Sequence, residues 1–152
     1  MTHVRKIAVA VRRAIEACSP DALPWPSFPS SACGDTSLVL GQVLDDHGIR
    51  GFEYVCGYKY RDDGTTSSHA WLQKGAWIVD VTADQFPEVL DAVIVSPSSA
   101  WHAEWHADRP TAGTLSAYGA QLPGLWALLS ALQPRIDEEL GFSDAATSGT
   151  TT

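Results

Sequence analysis

The sequence predicts an α+β fold in which helices pack against a small antiparallel β-sheet. Three segments have apolar residues at helical spacing, and the region between the second and the third alternates apolar and polar residues as strands do. The chain has 152 residues, of which 45% are hydrophobic, and this is enough to bury one core. We therefore expect a single domain over residues 1–142 and a disordered tail over residues 143–152.

The first and last helices are predicted over residues 3–17 and 123–140. Apolar side chains share one face of each helix, and in the last helix this pattern continues past Pro134. Between the first and second helices, residues 21–31 contain three prolines around two aromatic residues. This composition favours an extended connection over regular structure.

The second helix is predicted to begin close to Cys33 and to end at His47. Ser30 or Ser31 is the expected N-terminal cap, because a serine oxygen accepts hydrogen bonds from free backbone N–H groups. Gly48 suits the position just after the helix, where φ is often positive. Cys33 then lies in the first helical turn, where the partial positive charge of the helix stabilises a thiolate.

A β-hairpin is the centre of the predicted sheet. Strands are predicted over residues 52–60, 69–73, 76–82 and, as a short fourth strand, 92–95, with loops over residues 61–68 and 96–110. If Lys74 and Gly75 form a two-residue turn, His69 lies directly opposite Asp80, with Cβ atoms about 5 Å apart. One face of the hairpin then carries His69, Trp71, Ile78 and Thr82, and the other is apolar: Ala70, Leu72, Trp77, Val79 and Val81.

This arrangement predicts a Cys-His-Asp catalytic triad. Asp80 would orient one ring nitrogen of His69 and leave the other free for the thiol of Cys33, while backbone N–H groups near Cys33 would stabilise an oxyanion. Each residue also has a plain structural interpretation. A cysteine at a helix start is often an ordinary buried side chain, and a His-Asp pair on a hairpin is often a surface contact.

The motifs around these residues resemble the transglutaminase-like branch of the papain-like cysteine enzymes. They are Ala32-Cys33-Gly34, a helix ending in His47-Gly48-Ile49-Arg50, Tyr54-Val55-Cys56-Gly57-Tyr58, His69-Ala70-Trp71-Leu72 and Asp80-Val81-Thr82. The resemblance covers residues 32–82 and implies a transglutaminase-like core. It also implies that Cys33 is the nucleophile, His69 the general base and acid, and Asp80 the orienting carboxylate. Two departures bear on the subfamily: Arg50-Gly51 replaces Pro-Ala-Arg, and Val81 replaces a proline.

The same resemblance implies chemistry through a thioester, because the family contains peptidases, amidases, deamidases, deglycosylating enzymes and acyl transferases. We expect hydrolysis of a peptide or protein amide, as a peptidase or glutamine deamidase, since water is always available as the acceptor. The alternatives are transfer of the acyl group to an amine, as in a transglutaminase, and a non-catalytic binding module. No organic cofactor is implied.

Three further residues are predicted to bind substrate: Gln85, Trp71 and Trp25. Gln85 follows the Asp80 strand closely enough for its amide to meet a substrate carbonyl, or it satisfies loop backbone instead. Trp71 shares the face of His69 as a substrate wall or as packing, and Trp25 is either a cleft rim or a core residue.

A histidine-rich segment has no clear role in the sequence. His102 and His106 have the i, i+4 spacing that two metal ligands need on a helix, with Glu104 and Asp108 nearby. No third ligand is set by spacing, and Trp101 and Trp105 repeat at the same interval as a packed aromatic ridge would. We therefore expect no metal.

Charge and hydropathy limit the partners. Ten Lys and Arg against eighteen Asp and Glu give a net charge of −8, which disfavours nucleic acid and anionic membranes. No apolar stretch approaches the roughly 18 residues that span a bilayer, and no secretory signal is visible. Three cysteines, an odd number, favour a reducing compartment. We expect a cytoplasmic protein, with signal-independent export to another cell as the alternative.

Overall fold

The computed structural model describes residues 1–142 and has the predicted α+β composition of helices and antiparallel strands. The helices are α1 (Thr2–Glu16), α2 (Cys33–Asp46), α3 (Ala100–Ala103) and α4 (Pro123–Glu139). The strands are β1 (Glu53–Tyr60), β2 (Thr66–Lys74), β3 (Trp77–Asp80), β4 (Ile94–Ser96), β5 (His106–Ala107) and β6 (Thr111–Ala112). Short 3-10 helices lie at Pro20–Ala22, Ala83–Gln85 and Ser116–Gln121. The predicted tail, residues 143–152, lies outside the described residues.

The sheet has the strand order β4-β3-β2-β1-β5, and β6 also pairs with β1. Every pairing is antiparallel. Helices α1, α2 and α4 cover one face and share a large apolar core with it. In the described part of the chain, no helix combines the length and the apolar character that a bilayer crossing requires.

The two faces of the hairpin separate as the alternation predicts. Leu72, Val79 and Val81 belong to the core beneath the helices. Trp71 and Ile78 form a second buried cluster on the opposite face, together with residues from β1 and from the segment after β4. Side chains of one strand alternate between faces, so this division follows directly from the order of residues.

The register of the hairpin differs from the predicted one. Observed pairs are Leu72 with Val79, Gln73 with Ile78 and Lys74 with Trp77. The turn is therefore Gly75-Ala76, and Gly75 takes the first turn position with a φ of 59°, which glycine adopts without strain. The prediction that His69 lies directly opposite Asp80 is wrong.

His69 and Asp80 are nevertheless in contact, because the observed pairing is displaced from the predicted pairing by an even number of residues. An even displacement leaves each side chain on its predicted face, since the pleat repeats every two residues. Continuing the observed register sets Asp80 opposite Trp71, with His69 as its diagonal neighbour. Diagonal neighbours are still within reach of an imidazole ring.

Helix α2 presents Cys33 as its first residue. Ala32 is the N-cap, and among residues 1–142 no side chain caps this helix end, so the expectation of a serine cap is wrong. At the other end, Gly48 donates to Asp45 and Ile49 donates to Leu44 through backbone N–H groups, which is a Schellman motif. Gly48 has a φ of 77°, as predicted for the residue after the helix.

A partly buried ion pair fixes the loop that follows β3. Arg12 of α1 is only 7% exposed and holds both carboxylate oxygens of Asp84 at 2.7 and 2.8 Å. The same guanidinium donates to the carbonyl of Val81 at 2.7 Å. A bidentate arginine resists rotation of its partner, so this contact sets the path of the chain between Asp80 and Gln85.

We predict that Gly41→Ala destabilises the protein by about 1–3 kcal/mol, the usual cost of overpacking. An added Cβ at Gly41 would overlap the backbone carbonyl of Gly113, where two segments of main chain pass each other. Helix propensity alone favours alanine by about 1 kcal/mol, which gives the opposite sign. Urea denaturation measures the free energy of unfolding.

The matched control is Gly124→Ala, near the start of α4, where an added Cβ meets no atom of the described residues within 4 Å. This variant should be neutral or slightly more stable than the parent protein. Equal effects at the two glycines would contradict the close approach of α2 to Gly113.

Candidate active site

The structure brings Cys33, His69 and Asp80 together. Cys33 opens α2, His69 lies within β2, and Asp80 is the last residue of β3. Nε2 of His69 donates to Oδ2 of Asp80 at 2.6 Å, and these residues are 0% and 2% exposed. The ring nitrogen Nδ1 is left for contacts on the side away from Asp80.

The thiol of Cys33 lies close enough to His69 for the imidazole to affect its pKa, and it remains partly exposed. Burial alone would raise the pKa of Cys33, but the contact with His69 and the backbone N–H groups of Ala70 and Gly34 outweigh it, and the net pKa is lowered. A lowered pKa increases the thiolate fraction near neutral pH, and the thiolate is the nucleophilic form.

The imidazole and the carboxylate both favour their charged forms. Burial would lower the pKa of His69, but the hydrogen bonds with Asp80 and Cys33 raise it to about 9. Burial would raise the pKa of Asp80, yet hydrogen bonds from His102 and His69 hold it well below its usual range. The arrangement therefore supports a thiolate, an imidazolium and a carboxylate in contact.

Asp80 has four hydrogen-bond contacts with donor groups, and His102 provides one of them. Oδ2 accepts from Nε2 of His69 at 2.6 Å and from Nε2 of His102 at 2.7 Å. Oδ1 accepts from the backbone N–H of Thr82 at 2.9 Å and lies 3.4 Å from its hydroxyl. A fully buried carboxylate needs such compensation to stay charged.

The two histidines considered as an i, i+4 pair of metal ligands, His102 and His106, lie in different surroundings. His102 is 4% exposed and points to Asp80, whereas His106 is exposed in β5. Helix α3 ends at Ala103 and β5 begins at His106, so the helical spacing that the pattern assumed does not extend to His106. The local sequence contains one usable signal for His102: Ser99 three residues earlier is the N-cap of α3 and accepts from the backbone N–H of His102 at 3.3 Å.

His69, Asp80 and His102 form a cluster of the residue types that ligate metals. One ligand atom from each lies within 4.8 Å of the others. Two imidazoles and a carboxylate are also a ligand set that zinc or iron accepts. Here, however, both Nε2 atoms point at the same carboxylate oxygen at hydrogen-bond distance.

Gln85 lies at the site, as its position after β3 predicted. Its amide nitrogen donates to the carbonyl of Thr82 at 3.1 Å and lies 3.3 Å from Nδ1 of His69. The amide nitrogen can donate to Nδ1 only when that ring nitrogen carries no proton, that is, when His69 is neutral. A role in binding a substrate carbonyl stays a prediction.

The two tryptophans make packing contacts. Trp71 is 2% exposed, donates to the side chain of Gln73 at 3.2 Å, and lies against the ring of His69 with centroids 5.9 Å apart. Trp25 is 4% exposed and donates to Asp35 at 3.0 Å, which ties the proline-rich connection to the first turn of α2. Substrate binding by Trp71 and Trp25 stays a prediction.

Aromatic side chains enclose His69 on the face away from the helices. The ring centroids of Phe86, Trp101 and Trp105 lie 5.2 to 5.7 Å from that of His69. The segment after β4, which contains α3, supplies both tryptophans, and their rings pack together with centroids 5.3 Å apart, as in the predicted aromatic ridge. Its contact with His69 could not be predicted from the sequence. Gly57 permits the packing, because a Cβ there would come within 2.8 Å of the Trp105 side chain.

Comparison with known proteins identifies no relative from which a function could be inferred. The chain matches no protein-family model, and neither the curated proteins nor the solved structures contain a significant match. The chemical content of the site is a partly exposed thiol with a lowered pKa beside a buried imidazole that a carboxylate orients. These are the groups that enzymes use for nucleophilic attack on a carbonyl group.

We predict that Cys33 is alkylated faster than Cys56 at about pH 6.5, because only the thiolate reacts with iodoacetamide. The surroundings lower the pKa of Cys33, whereas burial and nearby negative charge raise the pKa of Cys56. Peptide mass spectrometry after a short exposure resolves the two sites. His69→Ala should remove most of the difference, and equal labelling of both cysteines in the parent protein would contradict the thiolate at Cys33.

We predict that Asp80 stabilises the fold at neutral pH and loses this effect in acid. Its pKa is lowered from the ordinary 3.8 in the folded state, so the unfolded chain binds the proton first as pH falls. The stability advantage of the parent protein over Asp80→Asn should therefore be full above about pH 5 and shrink below pH 4. Urea denaturation across this pH range measures the difference in the free energy of unfolding between the two proteins.

The control for this experiment is Asp91→Asn, at an exposed position. Its stability difference from the parent should stay small and change little with pH. An advantage of Asp80 that is constant down to about pH 2 would show that the carboxylate is not preferentially ionised in the folded state.

Proposed function

We propose that the protein is a cysteine-dependent amide hydrolase that acts through a thioester, with Cys33 as nucleophile, His69 as general base and acid, and Asp80 as the orienting carboxylate. One observation carries the proposal: His69 contacts Asp80 through Nε2 at 2.6 Å and lies near Cys33, and the thiol and the imidazole shift each other's pKa. An imidazole held between an acid and a thiol is the arrangement that nucleophilic catalysis requires.

The proposed reaction has two steps. The thiolate of Cys33 attacks the amide carbonyl, and N–H groups in the first turn of α2 stabilise the oxyanion, since a helix leaves these groups without internal acceptors. The imidazolium of His69 then gives its proton to the leaving nitrogen as the C–N bond breaks. In the second step His69 takes a proton from water, which attacks the thioester and releases a carboxylic acid.

A transglutaminase-like core is part of the same proposal. Its support is the order of elements: a helix that begins with the thiol packs on an antiparallel sheet whose adjacent strands carry the imidazole and then the carboxylate. We propose peptide or protein substrates, with amide bonds of the backbone or of glutamine side chains as the bonds attacked. The cytoplasm is the proposed site of action, because three free thiols suit a reducing compartment.

Transfer of the acyl group to an amine is the second candidate. The aromatic side chains around the fully buried His69 favour it, since they limit the water that can reach a thioester and so allow an amine to compete. A binding module without catalysis is the third candidate, and it requires that the thiol be unreactive towards substrates.

We predict that Cys33→Ala and His69→Ala each abolish the activity, whereas Asp80→Asn retains a small fraction of the activity. Candidate proteins are incubated with the protein and a labelled primary amine and are then analysed by mass spectrometry. Backbone scission or loss of ammonia indicates hydrolysis, and incorporation of the amine indicates acyl transfer.

The matched control is Cys18→Ala, which removes a thiol whose contact is the carbonyl of Ala14 in α1. It should retain full activity, and circular dichroism should show that all variants are folded. Turnover retained in Cys33→Ala would exclude the thioester mechanism. Absence of every product, together with an unreactive Cys33, would favour the binding module.

A further inference from the structure

We propose that His102 is a positioning residue of this site, which acts on His69 through the carboxylate of Asp80. The inference rests on the proposed function, because it assigns His102 a part in the same reaction. It extends the three residues predicted from sequence to a chain of four: Cys33, His69, Asp80 and His102.

The shared oxygen of Asp80 is the first argument. Oδ2 accepts from His69 at 2.6 Å and from His102 at 2.7 Å, which uses both lone pairs of that oxygen. Oδ1 is held by the backbone N–H of Thr82 at 2.9 Å. The carboxylate is therefore held from both sides, and its rotation would break at least one contact with an imidazole.

The carboxylate of Asp80 assigns the proton on His102, because an ionised carboxylate only accepts hydrogen bonds and Nε2 lies 2.7 Å from its Oδ2. Ser99 already accepts from the backbone N–H of His102, and its hydroxyl oxygen lies 2.6 Å from Nδ1 of the same ring. The Ser99 hydroxyl can donate its proton only if Nδ1 is an acceptor. Neutral His102 then carries its proton on Nε2, directed at Asp80, and α3 serves to aim this imidazole.

Through the carboxylate of Asp80, His102 affects how tightly His69 binds its proton. A donor on Oδ2 disperses the charge of Asp80 and so weakens the hold of the carboxylate on the imidazolium proton. Without His102, the charge on Asp80 would be less compensated, and His69 would bind its proton more tightly. A general acid that releases its proton less readily is slower at the leaving nitrogen.

In the part of the chain that the structure describes, His102 contacts two ionisable side chains: Asp80 by a hydrogen bond and His69 by ring packing. Trp71 packs on the ring of His102 at a centroid distance of 4.9 Å, and Trp101 at 4.8 Å. The nearest ion pair on this face, Lys59 with Glu104, lies outside the tryptophans, where the ammonium rests over Trp101 and Trp105. Its charges are opposite, and Glu104 is exposed to solvent, whereas Lys59 is partly buried.

The test is an NMR titration of the protein labelled with ¹⁵N-histidine, combined with the rate of Cys33 alkylation. In His102→Ala the titration midpoint of His69 should move to higher pH, and turnover on any substrate identified should fall by about tenfold to a hundredfold, the range for a lost hydrogen bond to a charged group. A residue with only a structural role would not move the His69 titration.

Two variants provide the comparison. His102→Gln keeps an amide nitrogen near the position of Nε2 and should restore the His69 titration and most of the turnover. His106→Ala, four residues further on and exposed, should leave both unchanged. If His102→Ala does not fold, the His102→Gln variant and the parent protein still test the proposed role of His102. The NMR spectrum of the parent protein must show a proton on Nε2 of His102 and none on Nδ1.

Several results would overturn the inference. They are an unchanged His69 titration in folded His102→Ala, the opposite tautomer at His102, and equimolar Zn²⁺ that shifts the Nε2 resonances of both rings, which would indicate metal ligands. Failure of the proposed function is recognised separately: Cys33 of the parent protein would then lack rapid alkylation even where the histidine spectra show both hydrogen bonds to Asp80.

Discussion

A carboxylate removed from water remains charged only when donors replace its hydration, and the site around Asp80 is organised by this requirement. Asp80 is 2% exposed, and its two oxygens face two imidazoles and Thr82. Each of these donors comes from a different part of the chain, so the carboxylate also joins β2, β3 and α3. Loss of one donor would leave part of a buried charge without compensation, which is costly.

Two further contacts hold this carboxylate in place. Arg12 anchors the loop after β3 through Asp84, and the aromatic side chains that follow β4 close the opposite face of the sheet. The first contact reaches the site from α1 and the second from the segment that contains α3. The low polarity that results strengthens every hydrogen bond within the cluster, which is why burial and charge coexist here.

The residues of the proposed triad differ in their exposure to solvent. Cys33 is partly exposed at the tip of α2, where a substrate carbonyl can approach, whereas His69 is fully buried behind it. A thiol that ionises at the boundary and a base that is shielded from solvent are compatible with the thioester chemistry proposed for the protein. Gln85, which contacts both the loop backbone and His69, lies where this boundary begins.

The spacing of residues predicts the α+β class, a helix that begins close to Cys33 and the two faces of the hairpin, because spacing along one chain sets which side chains point the same way. It did not determine the turn, which moved from Lys74-Gly75 to Gly75-Ala76, nor the place of His102. A turn depends on local φ values, and the contact of His102 with Asp80 joins residues 22 positions apart. The donors that surround the buried carboxylate depend on how the elements pack in three dimensions, because periodicity gives the direction of side chains within one element and no distance between elements.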